Sequence, residues 1–406
     1  MRTRVNVGVV GCGVVATAYY LPYLMSMDNA ELVAVCDRDE ARAEACKRLF
    51  EAKEAYRDYD EMIERADIDA VLILTAPGTH VPFTLRAVEA GKHVLIQKPM
   101  ALNMEDARII ADAVRKAGVK CIVEPSSNSP LEPGYREIRD VIKQGALGQP
   151  FAFFWTSGVP DKYGPGLGGN PYGAGAFYAK DSGGFLFDLP YAPSQVVATL
   201  GACKSVTARG TISQQDRWIV PDSEYNEFLR SVTDPQNANY WDVVLDKPRT
   251  QYVRQEAEDH FYSVYEMTNG AVGTVWAGRA FHPVPPGMRF GGFQVFGTEG
   301  TLVFGYGPNR ASMISSKKEL FPQTDADGWH HWPRPKATGK SQWPKPAPGG
   351  FNYYHASTQH LVDCILEDRE PLVGLDWGLH ITEMLVGSKR SSDQGVRYEM
   401  TTTLDW

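Results

Sequence analysis

The sequence predicts an α/β protein. An N-terminal Rossmann-type, doubly wound parallel sheet is expected over residues 1–124. An α+β region with a large, mostly antiparallel open sheet is expected over 125–406. Three observations carry this. Short apolar runs alternate with helical periodicity as far as residue 124. A glycine-rich turn directly follows the first run. Beyond residue 150 the periodicity changes to alternating strands between long Gly/Pro/aromatic loops.

The apolar runs are Val5–Val10, Glu31–Cys36, Ala70–Leu74, His93–Ile96 and Val119–Val123. Such continuous runs suit strands buried on both faces. Helices are predicted over Arg38–Ala52, Val81–Ala90 and Met104–Lys116, with Gly91 and Gly118 at left-handed stops. Residues 131–147 read as a further helix. The later strands are Phe151–Thr156, Ser205–Thr211, His260–Met267, Ala271–Ala280, Gly292–Phe296 and Thr301–Phe304. Asn269-Gly270 signals a two-residue hairpin. Residues 330–350 hold five prolines and no acidic residue, so a loop is expected there. Asn352–Glu367 and Leu375–Ser388 return to helical periodicity.

At about 150 residues per domain, 406 residues give two or three domains. A hydrophobic share of 43% supplies real cores and excludes disorder as the main state. The net charge of −8 makes the chain a poor binder of phosphate backbones, so no nucleic-acid partner is expected. Six cysteines without C-x-x-C spacing (Cys12, Cys36, Cys46, Cys121, Cys203 and Cys364) read as reduced core residues of a cytoplasmic protein. No apolar run is long enough to span a membrane, and the N-terminus does not read as a signal peptide. Neither His330-His331 nor His355 with His360 has good metal spacing, so no catalytic metal is expected.

Gly11-Cys12-Gly13-Val14-Val15-Ala16 matches G-x-G-x-x-A in the strand–turn–helix context that gives the motif meaning. Gly11 allows the tight turn, Gly13 lets a pyrophosphate approach the backbone, and Ala16 keeps helix and sheet close. The phosphates would meet free N–H groups at a helix start. Asp37 stands 21 residues after Ala16, at the end of the second run. A carboxylate there accepts ribose hydroxyls and favours NAD. Arg38 beside it can meet a 2′-phosphate or lie over the adenine, which leaves NADP open.

With these residues the chain resembles the Gfo/Idh/MocA oxidoreductases, the glucose–fructose oxidoreductase and inositol dehydrogenase relatives. Further matching stretches are Thr75-Ala-Pro-Gly-Thr-His80, Ala90-Gly-Lys-His-Val-Leu-Ile-Gln-Lys-Pro99, Ser182-Gly-Gly-Phe-Leu-Phe-Asp188 and Gly297-Thr-Glu-Gly-Thr-Leu302. The resemblance implies a Rossmann domain, then an α/β domain whose open sheet holds substrate on one face and forms subunit contacts on the other. It implies hydride transfer between a nicotinamide and a sugar, cyclitol or related hydroxyl, in a homo-oligomer. It places Thr75, Ala76, Pro77 and His80 beside the ribose and nicotinamide.

Lys98 is then the central chemical candidate. Oxidising an alcohol needs a base for the hydroxyl proton. A free lysine is protonated at neutral pH, but burial and a neighbouring positive ring both disfavour the ammonium. The family usually has Glu before this Lys; here Gln97 stands there. Family members commonly carry Asp-x-Gly-x-His-x-x-Asp; here the stretch is Asp188-Leu-Pro-Tyr191-Ala192-Pro-Ser-Gln195. Asp188 remains, while Ala192 replaces the His. Either Lys98 acts alone, or Tyr191 or a loop residue replaces the imidazole, or the chemistry differs.

Trp155, Tyr163, Tyr172, Phe177 and Tyr178 offer flat faces for sugar C–H surfaces, and core packing explains some of them equally well. His282 is a candidate acid/base from the second domain. The leading expectation is a nicotinamide-dependent dehydrogenase for a sugar, glycoside or cyclitol hydroxyl, with C3 of a glycoside as one target. The alternatives are an NAD-requiring, redox-neutral glycoside-cleaving enzyme and a non-catalytic cofactor-binding regulator.

Overall fold

Six strands build the N-terminal sheet: β1 (Val5–Val10), β2 (Ala30–Cys36), β3 (Glu54–Tyr56), β4 (Ala70–Ile73), β5 (His93–Ile96) and β6 (Cys121–Val123). All pair in parallel, in the order β3-β2-β1-β4-β5-β6. The chain winds outward from β1 in both directions, so the carboxyl ends of β1 and β4 form the switch-point crevice where such sheets take ligands. A computed structural model describes residues 3–124, 129–132, 134–160, 178–179, 184–188, 190–213, 215–219, 221–235, 240, 251–281, 292–305, 309–333 and 353–405.

The connecting helices are α1 (Leu21–Ser26), α2 (Glu40–Phe50), α3 (Tyr59–Arg65), α4 (His80–Glu89) and α5 (Met104–Ala117). Side chains close the first turns of α2, α3 and α5: Asp39 accepts from the N–H groups of Ala41 and Arg42, Asp58 from Glu61, and Asn103 from Asp106. Before α1 the chain makes a π-helical turn over Ala16–Tyr20. Strand β3 and helix α3 were not anticipated; three residues are too few to show periodicity.

Beyond α6 (Tyr135–Lys143) the chain enters a second sheet. Its strands are β7 (Pro150–Pro160), β8 (Cys203–Thr211), β11 (His260–Met267), β12 (Val272–Phe281), β13 (Gly292–Gly297), β14 (Gly300–Phe304), β15 (Asn309–Ser315), β16 (His330–Pro333) and β17 (Tyr398–Glu399). A separate ribbon pairs β9 (Asp216–Trp218) with β10 (Tyr252–Arg254). The nine-stranded order is β16-β15-β14-β13-β7-β12-β11-β8-β17, antiparallel throughout except for the parallel pair β7–β12. Helices α7 (Phe185–Asp188), α8 (Tyr191–Leu200), α9 (Asp222–Ser231), α10 (Tyr353–Glu367) and α11 (Leu375–Gln394) complete the chain. Helix α11 joins the two layers: Ser391 and Ser392 accept N–H bonds from Ala208 and Gly210 on β8, while Gly378 lies against Val123 of β6. All six cysteines are buried and free. Among the described residues no helix is long and apolar enough to cross a membrane.

Two local expectations are corrected. The hairpin after β11 is not a two-residue turn: Met267 N–H bonds to the Ala271 carbonyl, enclosing Thr268, Asn269 and Gly270. Gly270 takes the left-handed φ of 88° that such a three-residue turn needs. His330–Pro333, expected in a loop, forms the edge strand β16, where a proline costs no ladder bond. Residues 334–350 of that stretch lie outside the described residues.

Candidate active site

The crevice begins at the glycine turn. Gly11 has φ 96°, and a Cβ there would stand 2.8 Å from the Leu74 carbonyl oxygen, so only glycine fits. Gly13 is different in kind. A Cβ there would have no heavy atom within 4 Å, because the position faces a cavity of about 720 Å³ lined by Gly11, Gly13, Asp37, Arg38, Thr75 and Ala76 among others. Val14 and Ala16 are buried and Val15 is half-buried, holding the turn against the sheet. Asp37 Oδ2 accepts from the Cys12 N–H (2.8 Å) and Oδ1 from the Asp39 N–H (2.9 Å). Each oxygen keeps a lone pair for a further donor. An open glycine, a helix start and a fixed carboxylate on one cavity fit the phosphates and ribose of a dinucleotide.

Helix α9 closes over this turn, and the sequence reading missed it. Tyr225, fully buried, donates from its hydroxyl to the Cys12 carbonyl (3.0 Å) and is hydrogen-bonded to Thr17 Oγ1 (3.0 Å). The second domain thus grips the dinucleotide turn directly. Tyr225 and Leu229, four residues apart on one helical face, were the available signal.

At the next strand end, Thr75 and Ala76 line the cavity, and Pro77 opens a short 3₁₀ turn. His80 is not among the residues that line this cavity. It is fully buried, with Nδ1 2.8 Å from the Pro99 carbonyl and Nε2 3.1 Å from that of Thr75. Burial holds its pKa below the ordinary histidine value, so the neutral ring has one N–H to donate to one of these two carbonyls.

Lys98 follows β5. Its Nζ donates to the carboxylate of Asp188 and to the Asp188 carbonyl (3.1 Å), and lies 5.7 Å from the Tyr191 ring centre. The Lys98 and Asp188 side chains are 13% and 9% exposed, so this ion pair sits at the seam of the two domains with little water around it. Ala192, where the family's His would stand, is fully buried in the first turn of α8. Gln195 bridges Trp155 Nε1 (2.9 Å) and the Tyr135 hydroxyl (2.7 Å), so Trp155 is pinned in place on β7. Tyr178 is buried, and its carbonyl accepts from Glu256 and Ala257. Tyr163, Tyr172, Phe177 and His282 lie outside the described residues.

Gln97 is not a loose replacement for Glu. Its Oε1 accepts from the Lys98 N–H (2.9 Å), and its Nε2 donates to the Tyr20 hydroxyl (2.8 Å). Tyr20 donates in turn to Glu124 Oε1 (3.1 Å), which also receives Ser357. Burial, then the charge of Glu124, raises the Tyr20 pKa well above its usual value, so the phenol stays a donor. The carboxylate missing at residue 97 therefore stands one strand over, on Glu124 after β6. Glu124 and Tyr20 were not singled out from sequence; an acid closing an apolar run was the signal for the first.

Fold and crevice together define a Rossmann-type sheet with a cavity at its switch point. Residues 5–125 match the family described as "Oxidoreductase family, NAD-binding Rossmann fold", and residues 135–303 match the "GFO/IDH/MocA C-terminal domain". The chain belongs to the Gfo/Idh/MocA oxidoreductase family.

Among curated relatives, it is 36% identical over 162 residues to a dTDP-3,4-didehydro-2,6-dideoxy-alpha-D-glucose 3-reductase of Saccharopolyspora spinosa, covering 39% of this chain and 47% of that protein. It is 35% identical over 147 residues to an inositol 2-dehydrogenase of Klebsiella pneumoniae (strain 342), covering 36% and 43%. The chain thus spans less than half the length of these two relatives. In fold it is similar to levoglucosan dehydrogenase in complex with NADH and levoglucosan, with a TM-score of 0.74 at 20% identity over 98% of this chain and 99% of that one.

Proposed function

We propose that this protein is an NAD(P)-dependent dehydrogenase acting on a ring hydroxyl of a sugar, glycoside or cyclitol. In this reading residues 1–124 hold the cofactor, and residues 125–406 hold the substrate and join subunits. The single observation that carries the proposal is the Lys98–Asp188 pair, secluded at the carboxyl edge of the nucleotide sheet. The printed names of the relatives, a sugar reductase and an inositol dehydrogenase, support the substrate class.

When bound, NAD supplies the hydride acceptor. The chain's own residues orient the alcohol and take its proton. Lys98 Nζ is the donor that fixes the substrate oxygen. The alcohol proton passes to Lys98 Nζ as that nitrogen gives one of its own protons to the Asp188 carboxylate it already bonds. Tyr191 covers the amine, and the buried Tyr20–Glu124 chain holds the backbone on which Lys98 stands.

A panel of cyclitols, free sugars, anhydrosugars and glycosides is offered with NAD while the NADH absorbance band is followed. The expected result is accumulation with at least one member. The same experiment tests the alternative reading, redox-neutral glycoside cleavage, in which aglycone is released and no NADH accumulates. The sheet face away from the helices presents Phe154, Tyr262, Val264 and Val272 to solvent, which supports assembly through that face. Sedimentation velocity is expected to show a homo-oligomer, and a monomer at all concentrations would remove that part of the proposal.

A further inference from the structure

We propose that the buried pair Arg217–Asp259 is a positioning element for the proton-handling site. It fixes residues 255–259, and that segment seats the turn that aims Asp188 at Lys98. The proposal rests on the reading of Lys98 and Asp188 as the reacting pair.

Residues 255–259 run between β10 and β11 and belong to no helix or strand. Side chains set their path instead. Arg217, on β9, donates from Nη2 to the Asp259 carboxylate and from Nε to Gln255 Oε1 (3.1 Å). Gln255 extends the contact, its Nε2 donating to the Ala257 carbonyl (2.5 Å). Asp259 also accepts from the Ser213 N–H and hydroxyl, both at 2.8 Å. The Arg217 and Asp259 side chains are only 1% and 3% exposed, so water does not compete for these bonds.

A buried ion pair adds little net stability, because the desolvation of both ions offsets their attraction. What it supplies here is direction. A planar guanidinium bonds two acceptors in fixed geometry, which a point charge does not do. Its two acceptors, Gln255 and Asp259, stand at the two ends of the segment.

Two contacts transmit that geometry. The Tyr178 carbonyl accepts from the N–H groups of Glu256 (2.8 Å) and Ala257 (3.0 Å). Gly184, at φ 69°, presses on the segment: a Cβ there would stand 2.7 Å from the Glu258 carbonyl oxygen. The Gly184 carbonyl then accepts from the Phe187 N–H (3.2 Å) as α7 begins. Leu186 and Phe187 are buried, which fixes the rotation of this short helix. Asp188 closes it, with its carboxylate and its carbonyl both on Lys98 Nζ. Lys389 of α11 gives the segment a further hold through Glu258 (3.3 Å).

Two variants of the full-length protein test this. Arg217→Lys keeps the charge and loses the fork. Gln255→Leu removes only the neutral link, so it decides the matter if the first variant fails to fold. Each is trace-labelled with acetic anhydride, and acylation is read lysine by lysine by mass spectrometry. Acylation needs a free, accessible amine, and a carboxylate bonded to the amine slows it. Lys120 is the internal control, since its side chain is 11% exposed against 13% for Lys98 and it pairs with Asp368 and Glu370.

The Lys98 rate is expected to rise about threefold or more in both variants, with Lys120 within about 1.5-fold of wild type. With a substrate from the panel, Gln255→Leu is expected to lower kcat about tenfold and leave the NAD dissociation constant within about twofold. An unchanged Lys98 rate would overturn the proposal. Equal rises at Lys98 and Lys120 would mean general loosening and overturn it too. Labelling needs no substrate, so it decides the role of the pair even if no panel member yields NADH, in which case the dehydrogenase reading falls alone. If wild type yields NADH and Lys98 labelling does not move, the positioning role falls and the dehydrogenase reading stands.

Discussion

At the scale of single residues, the two motif glycines separate folding from binding. Gly11→Ala drives a methyl group against the Leu74 carbonyl at a left-handed φ, so loss of thermal stability together with NAD binding is expected. Gly13→Ala has open space around its methyl group, and that space is the cavity. Its melting temperature is expected to stay within about a degree or two of wild type, while the NAD dissociation constant rises about tenfold or more. A stable Gly13→Ala protein with unchanged affinity would remove the pyrophosphate from this turn.

Gln97→Glu tests the buried chain behind Lys98. Tyr20 has one hydroxyl proton and would then face two carboxylates, the introduced one and that of Glu124, so one must take up a proton or lie unpaired. A destabilisation of about 1–3 kcal/mol at pH 8 is expected, shrinking as the pH falls toward 5 and the new acid protonates. A pH-independent effect would show that the chain is not coupled in this way.

At the scale of elements, the strand runs and the G-x-G-x-x-A turn were legible because each records a local requirement. Five of the six nucleotide-sheet strands announce burial on both faces, and Asp37 sits where the second strand must end. What stayed hidden was created by distance. Glu124 matters through Tyr20, 104 residues away, and Tyr225 reaches Cys12 across 213 residues. No periodicity in either segment marks those partners. The same holds for His80, whose contact with the Pro99 carbonyl, 19 residues away, no periodicity marks. The reach of α9 has its own consequence. Tyr225→Phe removes a buried hydroxyl and leaves the Cys12 carbonyl one donor short, at a cost of about 1–2 kcal/mol in chemical denaturation. Weaker NAD binding with unaltered secondary structure is expected to accompany it. Full affinity and full stability would mean that α9 merely lies beside the turn.

At the scale of the whole molecule, α11 and the buried histidines couple the two layers to pH. His380 Nε2 accepts the Cys203 N–H (2.9 Å), and His360 Nε2 accepts that of Leu372 (3.0 Å). Those nitrogens must be unprotonated, and burial pushes both rings down to about 4. The unfolded chain takes up protons near 6.5 while the folded one refuses them until about 4, so stability is lost as pH falls through that window. Thermal melts are expected to shift to lower temperature between about pH 7 and pH 5, by an amount on the order of a few kcal/mol in total. A flat profile across that range would show that these rings are free to charge in place.

The central claim is that Lys98, paired with Asp188, handles the substrate proton beside a separately bound cofactor. Lys98→Met keeps the length and apolar stem of the side chain and removes only the amine. NAD titration and turnover on the best substrate of the panel, measured on the same preparation, test it most directly. The expected result is a dissociation constant within about twofold of wild type and a kcat reduced about 10²–10⁴-fold. A variant that binds NAD and turns over at the wild-type rate would contradict the claim.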